Sequence, residues 1–386
     1  MKKVAAIGLA LMFLVIGLAA CKKASSPADK ILTLLPKTTQ GVIVVDIKRA
    51  MSLEFVSKAL KDPKNSQKFA EFIKETGIDP EKDIQALAIG VSGELKEGKT
   101  AGSGAGIISL TYNKDMLLAK IKKEVPGMTE QTYDGITMFT IEAPGKAAEE
   151  KAEEVEAKEG AEAKNKVAVE AKGEAKEEKE KEEAEAKEET EKAGPAKTPM
   201  FAAFLDATTI AAGSESGIKA VIDVFHKKAD NLYKNAELVA LLKKTNKSAL
   251  VWSAFAFPPE MMKDVASKNP MASDLEGVKA LSIYVDNKNK GLQIEIKGIG
   301  GDADKNKKLA DTITGLKALG GLAGGEKPEF GELLNKIEVT SDAAQVKIFV
   351  DIPQALMAKL SETAQKQVEE KMGAAKTEEK KEEKKN

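Results

Sequence analysis

The chain has 386 residues, with 60 Lys and Arg against 61 Asp and Glu. Hydrophobic residues make up 42%, enough for a core, but aromatics are only 4%, so that core is aliphatic. One Cys excludes an internal disulfide framework and any multi-cysteine metal site, one His excludes every two-histidine metal motif, and a net charge of −1 gives no global field to draw in nucleic acid.

Lys2 and Lys3 precede an unbroken run of apolar residues and Gly from Val4 to Leu18, which closes as Leu18-Ala19-Ala20-Cys21. A positive start, an apolar stretch and small residues at a cleavage point are the layout of a secretory signal. A run of this length is also able to span a bilayer, so an uncleaved anchor helix is the alternative. Leu-Ala-Ala-Cys resembles the lipobox of bacterial lipoproteins at all four positions. The resemblance implies cleavage between Ala20 and Cys21, diacylglycerol on the Cys21 thiol and a palmitate-type acyl chain on the new amino group. Each buried CH₂ contributes about 0.8 kcal/mol, and more than one chain gives a stable anchor. Lys22 and Lys23 follow at once and suit anionic headgroups. Lys22 stands where the inner-membrane retention signal of enteric lipoproteins has Asp, which points to the outer membrane, facing the periplasm.

Composition divides the rest. Residues 21–29 read as a polar tether and 30–143 as a first globular unit. Residues 144–198 are a low-complexity spacer: between Lys146 and Lys192 lie 11 Lys and 18 Glu, a net −7 that leaves +6 on the remainder of the chain. Its large apolar residues are Val155, Val167 and Val169, too few to bury a core. Glu→Lys pairs four apart, such as Glu154/Lys158 and Glu183/Lys187, favour a solvated helix by a few tenths of a kcal/mol each. Gly160 and Gly173 interrupt it, so a fluctuating helix or disorder is expected, and an acidic interaction arm is the functional alternative. Residues 199–372 form a second globular unit, and 373–386 a charged tail.

In the first unit, Gly41–Ile47 reads as a strand, 52–76 as a helix ended by Gly77, and Ile84–Ser92 as a second strand. Gly102, Gly104 and Gly106 lead into a third at Ile107–Tyr112, Lys114–Glu124 is a helix, and Tyr133–Glu142 a fourth strand. The second unit repeats that order: strand 250–257, helix 260–267, strands 278–285 and 292–299 about a turn at 287–291, helix 304–319, and a hairpin of 337–340 with 345–351. Short strands at 201–206 and 208–212 lie between, and Ser214 caps a helix to Lys228. The expectation is an α+β fold of two related β-α-β-β-α-β units of ferredoxin-like type, with antiparallel sheets and helices on one face. The segments Leu34-Leu35-Pro36 with Gly41–Asp46, and Phe204-Leu205-Asp206 with Thr209–Ser214, resemble a pattern in uncharacterised bacterial envelope proteins. That resemblance implies no established activity.

Chemistry-bearing motifs are few. His226 lies near a helix end, where the negative terminus favours it, with no nucleophile or orienting acid nominated beside it. Gly298-Ile299-Gly300-Gly301 imitates a dinucleotide loop, but Asp302 and Asp304 would repel a pyrophosphate. Asp302, Asp304 and Asn306 have calcium-loop spacing, yet Lys307 and Ile313 stand where such a loop needs Gly and Glu. Met261, Met262 and Met271, with Trp252, Phe255 and Phe257, suit either core or an adaptable apolar pocket. The glycine-rich 320–325 stretch reads as a flexible connector, with a mobile lid as the alternative. No catalytic residue, metal site or cofactor is expected. The expected function is that of a lipid-anchored, non-enzymatic envelope protein that binds or scaffolds a partner. Carriage of a lipid or other apolar ligand is the first alternative and a carboxylate-based hydrolase the second.

Overall fold

The structure, a computed structural model, describes residues 26–363 apart from 97–98, 126, 142–198, 269 and 324–327. Ala20, Cys21, the spacer and the tail lie outside the described residues. Helix α1 (Pro27–Leu32) opens on a reciprocal cap, Ser26 Oγ accepting from the Asp29 N–H at 3.1 Å while the Asp29 carboxylate accepts from Ser26. Strand β1 (Gly41–Val45) follows. The helix expected over 52–76 is three pieces, α2 (Ile47–Met51), α3 (Glu54–Lys61) and α4 (Pro63–Thr76). Pro63 has no N–H to continue α3 and sits instead at the start of α4.

Strands β2 (Ile84–Lys96) and β3 (Lys99–Leu110) pair along their length, so Gly104 and Gly106 lie inside β3 rather than before it. Helix α5 (Lys114–Glu124) comes next. The strand expected over 133–142 is a hairpin of β4 (Thr129–Tyr133) and β5 (Ile136–Ile141). Asp134 and Gly135 both take positive φ, 48° and 77°, and make its two-residue turn. After β6 (Met200–Asp206) and β7 (Thr209–Gly213), α6 (Glu215–Phe225) starts at Ser214 and stops at His226, short of Lys228. A 3₁₀ turn (Leu232–Lys234) and α7 (Ala236–Leu242) were not anticipated from the sequence. Then come β8 (Val251–Ala256), α8 (Pro259–Lys268), β9 (Val278–Lys288), β10 (Gly291–Gly300), α9 (Ala303–Ala323), α10 (Pro328–Asn335), β11 (Ile337–Ser341), β12 (Gln345–Ile352) and α11 over 354–363.

Among the described residues twelve strands form one sheet, antiparallel at each pairing, in the order β11-β12-β10-β9-β8-β1-β2-β3-β7-β6-β5-β4. Separate sheets were expected; pairing of β1 with β8, from Gly41↔Phe255 to Val45↔Val251, fuses them. β1 also pairs directly with β2, whereas a split β-α-β-β-α-β unit places another strand between the two that its first helix joins. Either side of the β1/β8 seam, helices link the first strand to the second and a hairpin links the second to the third. Beyond that, β12–β11 packs on β10, while β7–β6 intervenes between β3 and the β5–β4 hairpin.

The helices are not confined to one face. Val42, Val44, Ala86, Ala88, Ile107, Trp252 and Ala254 face one way and are buried with Ile31, Leu32 and Leu35 from α1 and its C-terminal turn, Ile218 and Ile222 of α6, and Leu238 and Leu241 of α7. Alanines on this face of the sheet let large aliphatic side chains on the helices fill the layer. On the opposite face, Leu309 and Ala310 of α9 pack with Met262 and with Val346 of β12. The register Val346↔Gly298↔Leu281↔Phe255↔Gly41 puts that cluster on the other side from Val42. Among the described residues no helix is long and apolar enough to cross a membrane.

Helix α6 approaches β3 closely: a Cβ on Gly217 would lie 2.4 Å from the Gly104 carbonyl oxygen, a backbone atom that cannot swing away. Gly217→Ala is therefore expected to lose about 1–3 kcal/mol in a urea titration, despite the better helix propensity of Ala. Gly315→Ala, in α9 with nothing within 4 Å of the new methyl, is expected to gain up to about 1 kcal/mol.

Candidate functional site

The sheet face opposite α1, α6 and α7 carries Gly41 and Val45 on β1 and Val91 on β2, with Phe255 beside Gly41 on β8. Phe255 lays its ring where a Gly41 side chain would stand, since a Cβ there would come 2.0 Å from the ring. Gly104 pairs with Val91 and likewise offers only backbone. The outcome is an open groove of about 320 Å³ with a glycine floor and a wall of Phe255, Phe257 and Met261. The Phe255 and Phe257 rings are nearly parallel, 6.4 Å between centroids. Val91 remains 37% exposed at its centre. Gln40 fixes one end: its side-chain oxygen accepts from the Gly93 N–H at 3.0 Å, and its carbonyl accepts from Ala256 at 2.8 Å.

This groove brings together part of the Met and aromatic set read from the sequence. Phe255, Phe257 and Met261 line it. Met262 turns instead into the core under α9, and Trp252 is buried on the other face. The Met271 side chain lies outside what is described. Val91, Gly41 and Gly104 were missed, because a glycine floor becomes visible only once the cross-strand register is known.

A second depression, of about 410 Å³, opens on the α1 face at the other end of β1. Val44, Ala86 and Trp252 make its floor, and Ser26 and Pro27 at the start of α1 form one lip. Lys48, Arg49 and Lys247 stand at its rim. Asp46 caps α2 by accepting from the Arg49 N–H at 3.0 Å, and the Arg49 guanidinium donates to the Ser248 carbonyl at 2.6 Å and to Asp286 at 2.8 Å.

The structure gives His226 the acid that the sequence did not nominate. Its Nδ1 lies 2.5 Å from an Asp134 oxygen in the β4–β5 turn, and Lys228 Nζ bonds the other oxygen at 2.5 Å. Beside them the Tyr133 hydroxyl donates to Asp223. The arrangement ties the β4–β5 hairpin to the end of α6. Asp302 caps α9 by accepting from the Lys305 N–H, and Asn306 is buried with its amide donating to the Asp342 carbonyl, so the glycine and Asp loop is a strand-to-helix turn. Gly320 and Gly321 belong to α9 rather than to a connector; Gly324 and Gly325 lie outside the described residues. Among the described residues no group of three or more His, Cys, Asp or Glu is placed to hold a metal.

Lys228 first, and His226 second, hold the Asp134 carboxyl below its ordinary range. A depressed carboxylate adds stability above its unfolded pKa of about 3.9 and loses it as pH falls through the lower folded value. Asp134→Asn should therefore be less stable than the parent chain above about pH 4. The gap should shrink on further acidification in thermal melts run across that range.

No family model matches the chain, and no curated protein matches it. Among solved structures it is similar to crystal form I of TP0453, with a TM-score of 0.40 and 8% identity over 88% of this chain and 98% of that one. Crystal form III of TP0453 gives 0.42 and 9% over 86% and 97%. Scores of this size bear on neither the site nor the function.

Proposed function

We propose that the chain is a lipid-anchored protein of the bacterial cell envelope that binds a partner at its open sheet face and catalyses no reaction. The observation that carries this reading is the groove of Val91, Phe255, Phe257 and Met261, apolar and open to solvent on the sheet. Exposed apolar surface on a soluble body costs solubility and is kept where something docks. The Leu18-Ala19-Ala20-Cys21 motif supports acylation at Cys21, and Lys22 supports residence in the outer membrane, facing the periplasm. The like connectivity either side of the β1/β8 seam supports an origin of the two halves as diverged copies, the first having gained the β6–β7 hairpin with α6 and α7.

Carriage of an apolar ligand is the second reading. It is favoured by the same groove, whose volume falls at the lower end of the range for small-molecule sites. Four results test these readings. Cells fed a palmitate analogue should label the parent chain and leave Cys21→Ser unlabelled. A photoreactive residue at Val91 should give a discrete protein adduct that Phe257→Asp reduces at least tenfold. Native mass spectrometry that finds a stoichiometric lipid, lost in Phe257→Asp, with no protein adduct, would move the function to carriage; hydrolytic turnover abolished by one carboxylate substitution would end both.

A further inference from the structure

We propose that the cleft beneath α1 seats the headgroup of an anionic phospholipid, fixing how the sheet stands on the membrane. This rests on the lipid-anchor reading and deepens it. Ser26 and Pro27 form the lip of the cleft, and Cys21 lies five residues before Ser26, a reach of at most about 18 Å in extended chain. An acylated Cys21 thus keeps the lip of the cleft within about 18 Å of the bilayer surface.

The charges fit that neighbour. Asp46 is engaged as a helix cap, and Asp286 accepts from Arg49 and from the Leu250 and Asn287 N–H groups. One oxygen of each carboxylate is thus engaged, and the single charge of Asp46 leaves the cationic residues of the lining, Lys48, Arg49 and Lys247, in excess. Lys48 and Lys247, exposed on the rim, have no carboxylate partner recorded among the described residues. Two uncommitted ammonium groups above a floor of Val44, Ala86 and Trp252 match a phosphate joined to a glycerol backbone: charge at the mouth, apolar surface below. At about 410 Å³ the cleft has room for one such group. Seating it there would set the end of β1 that carries Val45 toward the bilayer. The apolar groove at Gly41 would face away from it, about 13 Å further along the strand and on the opposite face.

The test uses the chain from residue 21 onward with Cys21→Ser, which keeps every described residue and removes the acyl chains. It is mixed with vesicles of phosphatidylcholine alone or with 30% phosphatidylglycerol. Binding is expected only to the anionic vesicles, and Lys48→Gln with Lys247→Gln should weaken it roughly 20- to 30-fold at about 1 kcal/mol per lysine. Lys234→Gln with Lys263→Gln, two exposed lysines outside the cleft, should change it less than threefold. Equal losses in the two pairs, no preference for anionic vesicles, or full displacement by millimolar inorganic phosphate would each overturn the proposal. Intact mass of the full chain from its native membrane reports the anchor separately. A bare Cys21 would remove the anchor without touching the cleft result, and an acylated Cys21 with no headgroup binding would remove the cleft alone.

Discussion

Between Gly41 and Val45, β1 hydrogen-bonds to β2 on one edge and to β8 on the other, with Val42 and Val44 almost wholly buried beneath α1 and α7. These five residues turn two stretches of chain into one continuous sheet. Each Val packs and each backbone group bonds, so polar satisfaction and apolar burial are met by the same short segment. The partners of β1 are some 45 and 210 residues away, so the seam closes long loops and raises the contact order of the fold. Everything described above sits relative to it: the apolar groove at its Gly41 end on one face, the cationic cleft at its Val45 end on the other.

The division of labour between the faces follows from side-chain size. On the α1 face alanines alternate with valine and isoleucine, and helices carrying Leu and Ile close down on them. Small sheet residues allow a near approach, which Gly217 takes to its limit against the Gly104 carbonyl. On the other face α9 packs with Met262 of α8, Val278 of β9 and Val346 of β12, while glycine, Val91 and the Phe255 ring line the open groove.

Much of this was legible from periodicity. Alternating Val and Ile, capping Ser214 and the 292–299 strand announce their elements through local physics that acts within ten residues. Sheet membership did not, since β1 bonding to β8 depends on residues two hundred positions apart. The β4–β5 hairpin had a readable signal in Asp134-Gly135, lost because the flanking residues continue a strand pattern. α7 had one too, in Asn235 ahead of a Leu-rich turn. The Met and aromatic cluster was visible as a composition, but Trp252 and Phe255 are three apart on one strand and so must face opposite ways. His226 could not reveal Asp134, ninety-two residues upstream and in a turn.

The strands that flank residues 142–198 hold a further consequence. Ile141 and Met200 are cross-strand partners, so the chain departs from and rejoins the sheet at neighbouring positions. Closing a loop costs free energy only as the logarithm of its length, about 0.6 kcal/mol per doubling. For any flexible connection, the pairing of β5 with β6 is therefore nearly indifferent to how many residues join those two points. Mutation can lengthen, shorten or re-charge that stretch with little penalty to the body, which leaves selection free to set its reach and charge by what lies outside the molecule.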